Sequence, residues 1–389
     1  MHIVLININR MVDYKGGMSK SFSDLANLFV AVGYKVTAIC FDKNQGNPGF
    51  PISSEVRFLN AYSKIPLLNQ SLCKAIRSFS LDRKRRRAKR DLIDLDWMRN
   101  CFKLCLENIS GIDLIISFQP ESTYFLEKIM EETSQHIPVI TMVHSTPEEV
   151  FGKEVFPYLY DYVAKSQAVQ VLRPEFVEPV KSLFPGMKIE VIPNFINDGY
   201  KQSKHLSKKI ICVSRVVPGK RIDLLVESFA VLQDKYPEWV VEIYGELERD
   251  KKYVQKIKNL ISSRGMSDRC FLMGTTDDIY GALESASIFA FPSKFEGFGI
   301  AMVEAMACGL PILACSDCAS VNTINENGKT GYLTDPEVSA YASAMDTMMG
   351  SSEIRKKLGE RASIKARNFS KEKIAVKWNQ LIEAVSEHE

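Results

Sequence analysis

An α/β chain with two doubly wound parallel-sheet domains is the fold class this sequence predicts. Three observations predict it. Short apolar runs alternate with helix-period segments along almost the whole chain. A glycine pair, Gly16-Gly17, lies in the turn after the first run. A polar stretch from Asp198 to Lys209, without apolar periodicity, divides the alternation into two series and reads as a linker. Strands alternating with helices imply parallel sheets covered on both faces. A length of 389 residues exceeds what one core usually holds and suits two domains of about 190 residues each.

The elements follow in order. Ile3–Ile8 is the first strand. The segment Met18 to Val32 carries Phe22, Leu25, Ala26, Leu28 and Phe29 on close to one helical face, and Gly33 ends it. Lys35–Phe41 is the next strand and completes a βαβ start. Further strands read at Val56–Leu59, Leu114–Phe118, Val139–Val143, Ala168–Leu172 and Ile189–Ile192. The second series has strands at Ile210–Ser214, Val240–Tyr244, Cys270–Leu272, Ile288–Pro292 and Ile312–Ala314. Helices Arg221–Lys235, Asp250–Arg264 and Asp277–Ser285 lie between them. Near the end, Ser370 is placed to N-cap a helix bearing Ile374, Val376, Trp378, Leu381, Ile382 and Val385, apolar enough that it must pack on something. The expected domains are 1–197, 208–369 and a terminal helix over 370–389.

Composition narrows the function. With 46% apolar and 25% charged residues the chain is ordinary for a globular protein. A net charge of +3 is too small to argue for a nucleic-acid partner. Nine scattered cysteines speak against a disulfide framework and for a reducing compartment. The close pair Cys315 and Cys318 lacks the second pair or nearby histidine that a zinc site needs, so no metal is expected. The N-terminus has neither the basic region nor the long apolar core of a signal peptide, and no stretch reaches a membrane span of about 18 apolar residues. The expectation is a cytoplasmic protein.

The densest chemical signal is the run from Glu296 to Glu304. It sets two carboxylates eight positions apart around Gly297-Phe298-Gly299, between an apolar strand and a helical segment that ends at Gly309-Leu310-Pro311. Strand, glycine turn and helix present backbone N–H groups to a phosphate. The flanking acids repel phosphate but accept hydrogen bonds from neutral hydroxyls. Amides for phosphate beside carboxylates for hydroxyls read as a sugar-nucleotide site. Arg215 and Lys220, five residues apart after the strand at Ile210–Ser214, supply a planar donor fork and a point charge that together suit a diphosphate. His144 ends the apolar run Val139–Val143, and the carboxyl end of a strand is where α/β sheets bind ligands.

Taken together, these motifs resemble the retaining glycosyltransferases of family four, of bacterial surface-polysaccharide type, which have the GT-B fold. Glu296 and Glu304 match that family's E-x7-E pair, and Gly297-Phe298-Gly299 the start of its spacer. Arg215 and Lys220 match its basic pair, Gly16-Gly17 its N-terminal glycine turn, and Pro193-Asn194 its domain junction. The similarity is densest from about residue 210 to 335. It implies two Rossmann-like domains facing a cleft, the N-terminal one binding acceptor and the C-terminal one the nucleotide sugar, with the last helix returning to the N-terminal domain. It implies that Glu296 holds donor-sugar hydroxyls and Glu304 the ribose hydroxyls. Arg215 and Lys220 would stabilise the departing diphosphate. The amides of Phe298, Gly299 and Ile300 would bind the distal phosphate, with Gly16 and Gly17 approaching it. Gly245 and Gly274 would line the base pocket, and His144 would approach the sugar. The implied reaction transfers a hexose with retention and without a metal or cofactor, from a UDP-sugar rather than a GDP-sugar, to a glycan or lipid-linked acceptor of cell-surface polysaccharide. Departures are local. Leu247 replaces a second glycine after Tyr244-Gly245-Glu246, Lys20 stands where arginine is frequent, and Cys315-Ser316-Asp317-Cys318 replaces a small polar loop.

The strongest charge feature is Arg83-Lys84-Arg85-Arg86-Arg87-Ala88-Lys89-Arg90, with Ile65–Leu68 and Leu72 upstream. It suits an anionic membrane, placing the protein on the inner face of the plasma membrane, or a lipid-pyrophosphate acceptor. The bland alternative is a solvated helix face paired with Asp82, Asp91 and Asp94. Other readings of the whole chain are an epimerase or phosphorylase of the same architecture, or a non-catalytic partner subunit. The sequence leaves oligomeric state open.

Overall fold

The structure, a computed structural model, describes residues 1–62, 83–152 and 159–387, and the side chains of residues 83–94 fall outside that description. The chain forms two compact units. One comprises Met1–Ile192 and Ala375–Glu389, the other Pro193–Ile374.

The first unit opens with strand β1 (His2–Asn7), helix α1 (Gly17–Ala31), β2 (Lys35–Cys40) and β3 (Arg57–Asn60). Helix α2 (Arg83–Leu106), β4 (Leu114–Ser117), α3 (Pro120–Thr133) and β5 (Val139–Val143) follow. The short helices α4 (Pro147–Phe151) and α5 (Leu159–Val163), then β6 (Ala168–Val171), α6 (Val177–Leu183) and β7 (Ile189–Val191), complete the sheet. All neighbours pair in parallel, in the order β3-β2-β1-β4-β5-β6-β7. Central strands are apolar on both faces because helices cover both: β1, β4 and β5 are buried throughout. The basic run forms the first turns of α2, and its side chains, like Ile65–Leu68 and Leu72, lie outside the described residues.

The second unit repeats the plan. It holds β8 (Lys209–Val213), α7 (Ile222–Leu232), β9 (Val240–Tyr244), α8 (Lys251–Ser263), β10 (Cys270–Gly274) and α9 (Ile279–Glu284). Then come β11 (Ile288–Phe291), α10 (Ile300–Ala307), β12 (Ile312–Cys315), α11 (Ala319–Asn322), β13 (Gly331–Thr334), α12 (Val338–Gly350) and α13 (Ser352–Ala366). The parallel order is β10-β9-β8-β11-β12-β13. Its core gathers Trp239, Phe229, Ile243 and Tyr341, all fully buried. The Tyr341 hydroxyl donates to the Leu313 carbonyl at 2.9 Å, so that burial leaves no orphan donor. Asp250 and Asp278 cap α8 and α9 by accepting from Tyr253 N and Gly281 N. Helix α14 (Lys371–Ser386) begins in the second unit and continues into the first.

Two parts of the sequence reading change. The stretch 198–209 is no free linker. Gln202 Nε2 donates to Ala307 O at 2.6 Å, Ser203 N to Cys308 O at 2.8 Å and Ser203 Oγ to Ala286 O at 2.5 Å. These bonds strap it to the second unit, whose boundary falls at Pro193. The region 315–369, left without elements by apolar periodicity, holds α11, β13, α12 and α13.

Candidate functional site

Strand order reverses in each sheet, and the candidate residues gather where it does. In the second unit β8 and β11 are neighbours, with Ile288 opposite Ile210 and Phe289 opposite Ile211. The chain leaves β8 toward β9 on one side and leaves β11 toward β12 on the other. Where strand order reverses in this way, the crevice at the strands' carboxyl ends is the usual ligand position in an open α/β sheet. Arg215 and Lys220 follow β8. Glu296, Phe298, Gly299 and Ile300 follow β11, and Glu304 lies in α10.

The structure brings Lys220 and Glu296 together although 75 residues separate Lys220 from the neighbouring Phe295. Lys220 Nζ is 2.5 Å from Glu296 Oε1 and donates to the Phe295 carbonyl at 3.0 Å. Lys220 is only 8% exposed, so screening by solvent is small. Lys294 N donates to Gly219 O at 2.9 Å, and Ser320 Oγ donates to the Glu296 carbonyl. The loop after β8 is thus pinned to the loop after β11. Beside them the Arg221 guanidinium grips Asp317 with two bonds of 2.7 and 2.6 Å and holds that carboxyl below its ordinary range. Arg215 is half-buried, and among the described residues no ion pair holds its guanidinium.

Helix α10 starts at Gly299, whose φ of 85° lies in the left-handed region glycine favours. No side chain caps that end, so first-turn N–H groups remain for an anion. Phe298 is buried and packs edge-on against Phe369 at 5.3 Å. Glu304 is the one ionisable side chain of the helix IAMVEAMA and is 4% exposed. Tyr200, which the sequence reading did not single out, places its hydroxyl 3.5 Å from Glu304 Oε1. No sequence spacing points to that neighbour, since 104 positions separate the two.

Gly245 and Gly274 meet. Gly245 N donates to Gly274 O at 2.8 Å, Ser214 N to Tyr244 O at 2.9 Å and Val216 N to Glu246 O at 3.2 Å. The carboxyl ends of β8, β9 and β10 are therefore locked side by side next to the crevice. Buried thiols here are inert. Burial pushes Cys212 and Cys315 up to about 12 and Cys318 to about 11. Among the described residues no three His, Cys, Asp or Glu side chains form a cluster able to hold a metal ion.

The first unit has its own reversal between β1 and β4. Gly16 precedes α1 and Gly17 begins it. A Cβ on Gly16 would come within 2.5 Å of the Tyr14 ring. Gln119 Nε2 donates to Asn7 Oδ1 at 2.7 Å and Ile8 N to Gln119 Oε1 at 3.2 Å, tying the ends of β1 and β4. His144 stands at the end of β5 on the same edge, stacked on Phe118 at 4.8 Å and 17°. Its Nε2 is buried without a hydrogen-bond partner, and burial lowers its pKa to about 4. Lys20 pairs with Asp24 at 2.7 Å, four residues on.

Residues 198–365 match the family model described as Glycosyl transferases group 1. The chain is 27% identical over 191 residues to an uncharacterized glycosyltransferase of Haemophilus influenzae, covering 49% of this chain and 53% of that one. It is 24% identical over 286 residues to the poly(ribitol-phosphate) alpha-N-acetylglucosaminyltransferase of Staphylococcus aureus, covering 66% and 57%. The chain thus spans about half the length of these curated relatives. Among solved structures it resembles the pneumococcal O-GlcNAc transferase GtfA in complex with UDP and GlcNAc. That match has a TM-score of 0.77 and 15% identity, and covers 100% of this chain and 99% of that one. The comparisons therefore place a group 1 glycosyl transferase domain over residues 198–365 of a chain with the GT-B fold.

Proposed function

We propose that this chain is a retaining, metal-independent glycosyltransferase. It moves a hexose from a nucleotide diphosphate sugar, UDP rather than GDP, to a glycan or lipid-linked acceptor in cell-surface polysaccharide assembly. The second unit takes the donor and the first the acceptor. The observation that carries the reading is that the Lys220–Glu296 pair and the uncapped start of α10 follow the neighbouring strands β8 and β11, with Arg215 just after β8. The named relatives, one an N-acetylglucosaminyltransferase and one solved with UDP, favour the uridine donor.

In this reading Arg215, Lys220 and the N–H groups of Phe298, Gly299 and Ile300 meet the diphosphate as charge develops on it. One lost donor of this kind costs about 10²–10³ in rate. The C1–O bond to the diphosphate breaks as the acceptor oxygen bonds to C1 on the same face. The acceptor proton passes to the leaving phosphate oxygen. Glu296 holds sugar hydroxyls, Glu304 the ribose diol, and neutral His144 acts as a hydrogen-bonding group beside the sugar.

The test is a thermal-shift panel of UDP-, GDP- and ADP-sugars with EDTA present. Ligand at 100 times its Kd stabilises the folded state by about 2.7 kcal/mol. A uridine donor is expected to raise the melting temperature, and Glu304→Gln to reduce the rise. No shift with any donor overturns the reading. The anomeric coupling of the product by NMR then reports retention or inversion.

The basic start of α2 adds a cytoplasmic, peripheral membrane location. Each cation near an anionic surface contributes about 1 kcal/mol. Replacing Arg85, Arg86 and Arg87 with glutamine is expected to cut binding to phosphatidylserine vesicles by about 100-fold at low salt. Equal binding by both proteins removes the membrane from the proposal. Among the described residues no helix is long and apolar enough to cross a membrane.

A further inference from the structure

Glu304 sits in apolar surroundings. It is a carboxylate at 4% exposure, flanked on α10 by Met302, Val303, Ala305 and Met306, all buried. A charge so placed must be held by hydrogen bonds or it is lost to protonation. The strap before β8 brings one. Gln202 and Ser203 bond to the Ala307 and Cys308 carbonyls at the far end of α10, and Lys201 N donates to Glu284 Oε1 at 3.2 Å. These contacts fix the strap along the helix, and Tyr200 reaches back one turn to Glu304.

The Tyr200 hydroxyl lies 3.5 Å from Glu304 Oε1 and 3.3 Å from the Tyr280 hydroxyl. The two rings meet edge-on, 4.6 Å apart at 67°. The Tyr200 hydroxyl is the donor in both contacts, so its single proton is shared between Glu304 Oε1 and the Tyr280 oxygen. Burial, then the Glu304 charge, raises Tyr200 well above the ordinary phenol range, so the proton is retained at any working pH.

We propose that Tyr200 is a positioning residue that orients the Glu304 carboxylate toward a ribose diol, with Tyr280 behind it, and so sets preference for ribo- over deoxyribonucleotides. This rests on the donor-site reading above. Tyr200 touches no substrate in this scheme. It fixes one carboxylate oxygen so that the group faces the diol in a single rotamer.

The test is calorimetric titration of wild type, Tyr200→Phe, Tyr280→Phe and Glu304→Gln with UDP and with 2′-deoxy-UDP. Wild type is expected to prefer UDP. Tyr200→Phe keeps the ring, and is expected to weaken UDP about 10-fold and 2′-deoxy-UDP less than twofold. Tyr280→Phe removes the competing acceptor and is expected to keep the wild-type preference for UDP. In a Glu304→Gln background Tyr200→Phe is expected to change nothing further. An unchanged preference in Tyr200→Phe, or an equal loss for both nucleotides, overturns the proposal and leaves Tyr200 a packing residue. Wild type binding neither UDP, GDP nor ADP overturns the donor-site reading instead. Melting curves of Tyr200→Phe and Tyr200→Ala separate lost folding from lost orientation.

Discussion

His144 shows what a half-buried ring with one sealed nitrogen does to the acid limb of stability. Its stack on Phe118 and the sealed Nε2 disfavour a positive charge, and its pKa falls to about 4. In the unfolded chain the same ring titrates near about 6.5. Between these values the unfolded state binds a proton that the folded state refuses. The stabilisation is therefore whole above pH 6.5 and drains away as pH falls toward 4, by about 3 kcal/mol at most. An NMR titration of the His144 ring is expected to show a midpoint near 4. His144→Phe, which keeps the stack, is expected to flatten the stability curve over that range. A midpoint near 6.5 would sink both the burial argument and the neutral role assigned to the ring. The sequence made the strand end legible as a ligand position, because Val139–Val143 is a continuous apolar run. It did not show Phe118 beside the ring, since that contact depends on β4 pairing with β5.

Among the elements, the loops that close β8 and β9 explain why a glycine stands at position 245. A Cβ there would lie 1.9 Å from the Ser214 carbonyl oxygen and 3.1 Å from Arg215 N, and its φ is 154°. Both obstacles are backbone, so no rotamer relieves them. Gly245→Ala is expected to cost about 2–3 kcal/mol and to push Arg215 away from the crevice. Gly219→Ala, in the same region with nothing within 4 Å of the added atom, is the control and is expected to be near neutral. Equal melting temperatures for the two variants would overturn the close approach of the two loops. The strands were readable because two-sided burial demands unbroken apolar runs of four to six residues, as in β1, β4, β5 and β11. β13 was not, since only Gly331 of its four residues is buried. Helix α13 escaped because it buries Arg355, which donates to the carbonyls of Met348, Met349 and His205. The strap at 198–209 escaped for the same reason: side chain-to-backbone bonds hold it, and they leave no period in the sequence. The charge pair Lys220–Glu296 depends on β8 lying beside β11, and the spacing of either motif alone carries no trace of the other.

For the molecule as a whole, the last helix is the decisive piece of chain, because residues from 375 onward belong with the first unit while the sheet of that unit ends at residue 191. Ser370 starts the helix: its Oγ accepts from Lys373 N at 3.5 Å, and its carbonyl accepts from Ile374 N at 3.2 Å. Trp378, 2% exposed, meets Phe29 of α1 edge-on at 5.5 Å. Tyr34 donates to Asn379 Oδ1 at 3.3 Å, and Lys377 Nζ to Val191 O at 3.1 Å. Leu381, Ile382 and Val385 are buried beside it. The apolar stripe that the sequence said must pack on something thus covers α1, and Phe29 would face water without it. Truncating a buried tryptophan costs about 3–5 kcal/mol. In a unit of this size that corresponds to a melting shift of about 10 °C. Trp378→Ala is expected to show such a shift in the transition of the first unit. Val376, counted with that stripe in the sequence, is instead 56% exposed, and Val376→Ala is expected to stay within about 0.5 kcal/mol of wild type. UDP binding by Trp378→Ala below its melting point is expected to be unchanged, because Glu304 and its partners belong to the other unit. Trp378→Ala melting with Val376→Ala would show that the helix merely rests on the first unit. Loss of UDP binding in the folded variant would show instead that the helix also shapes the donor site.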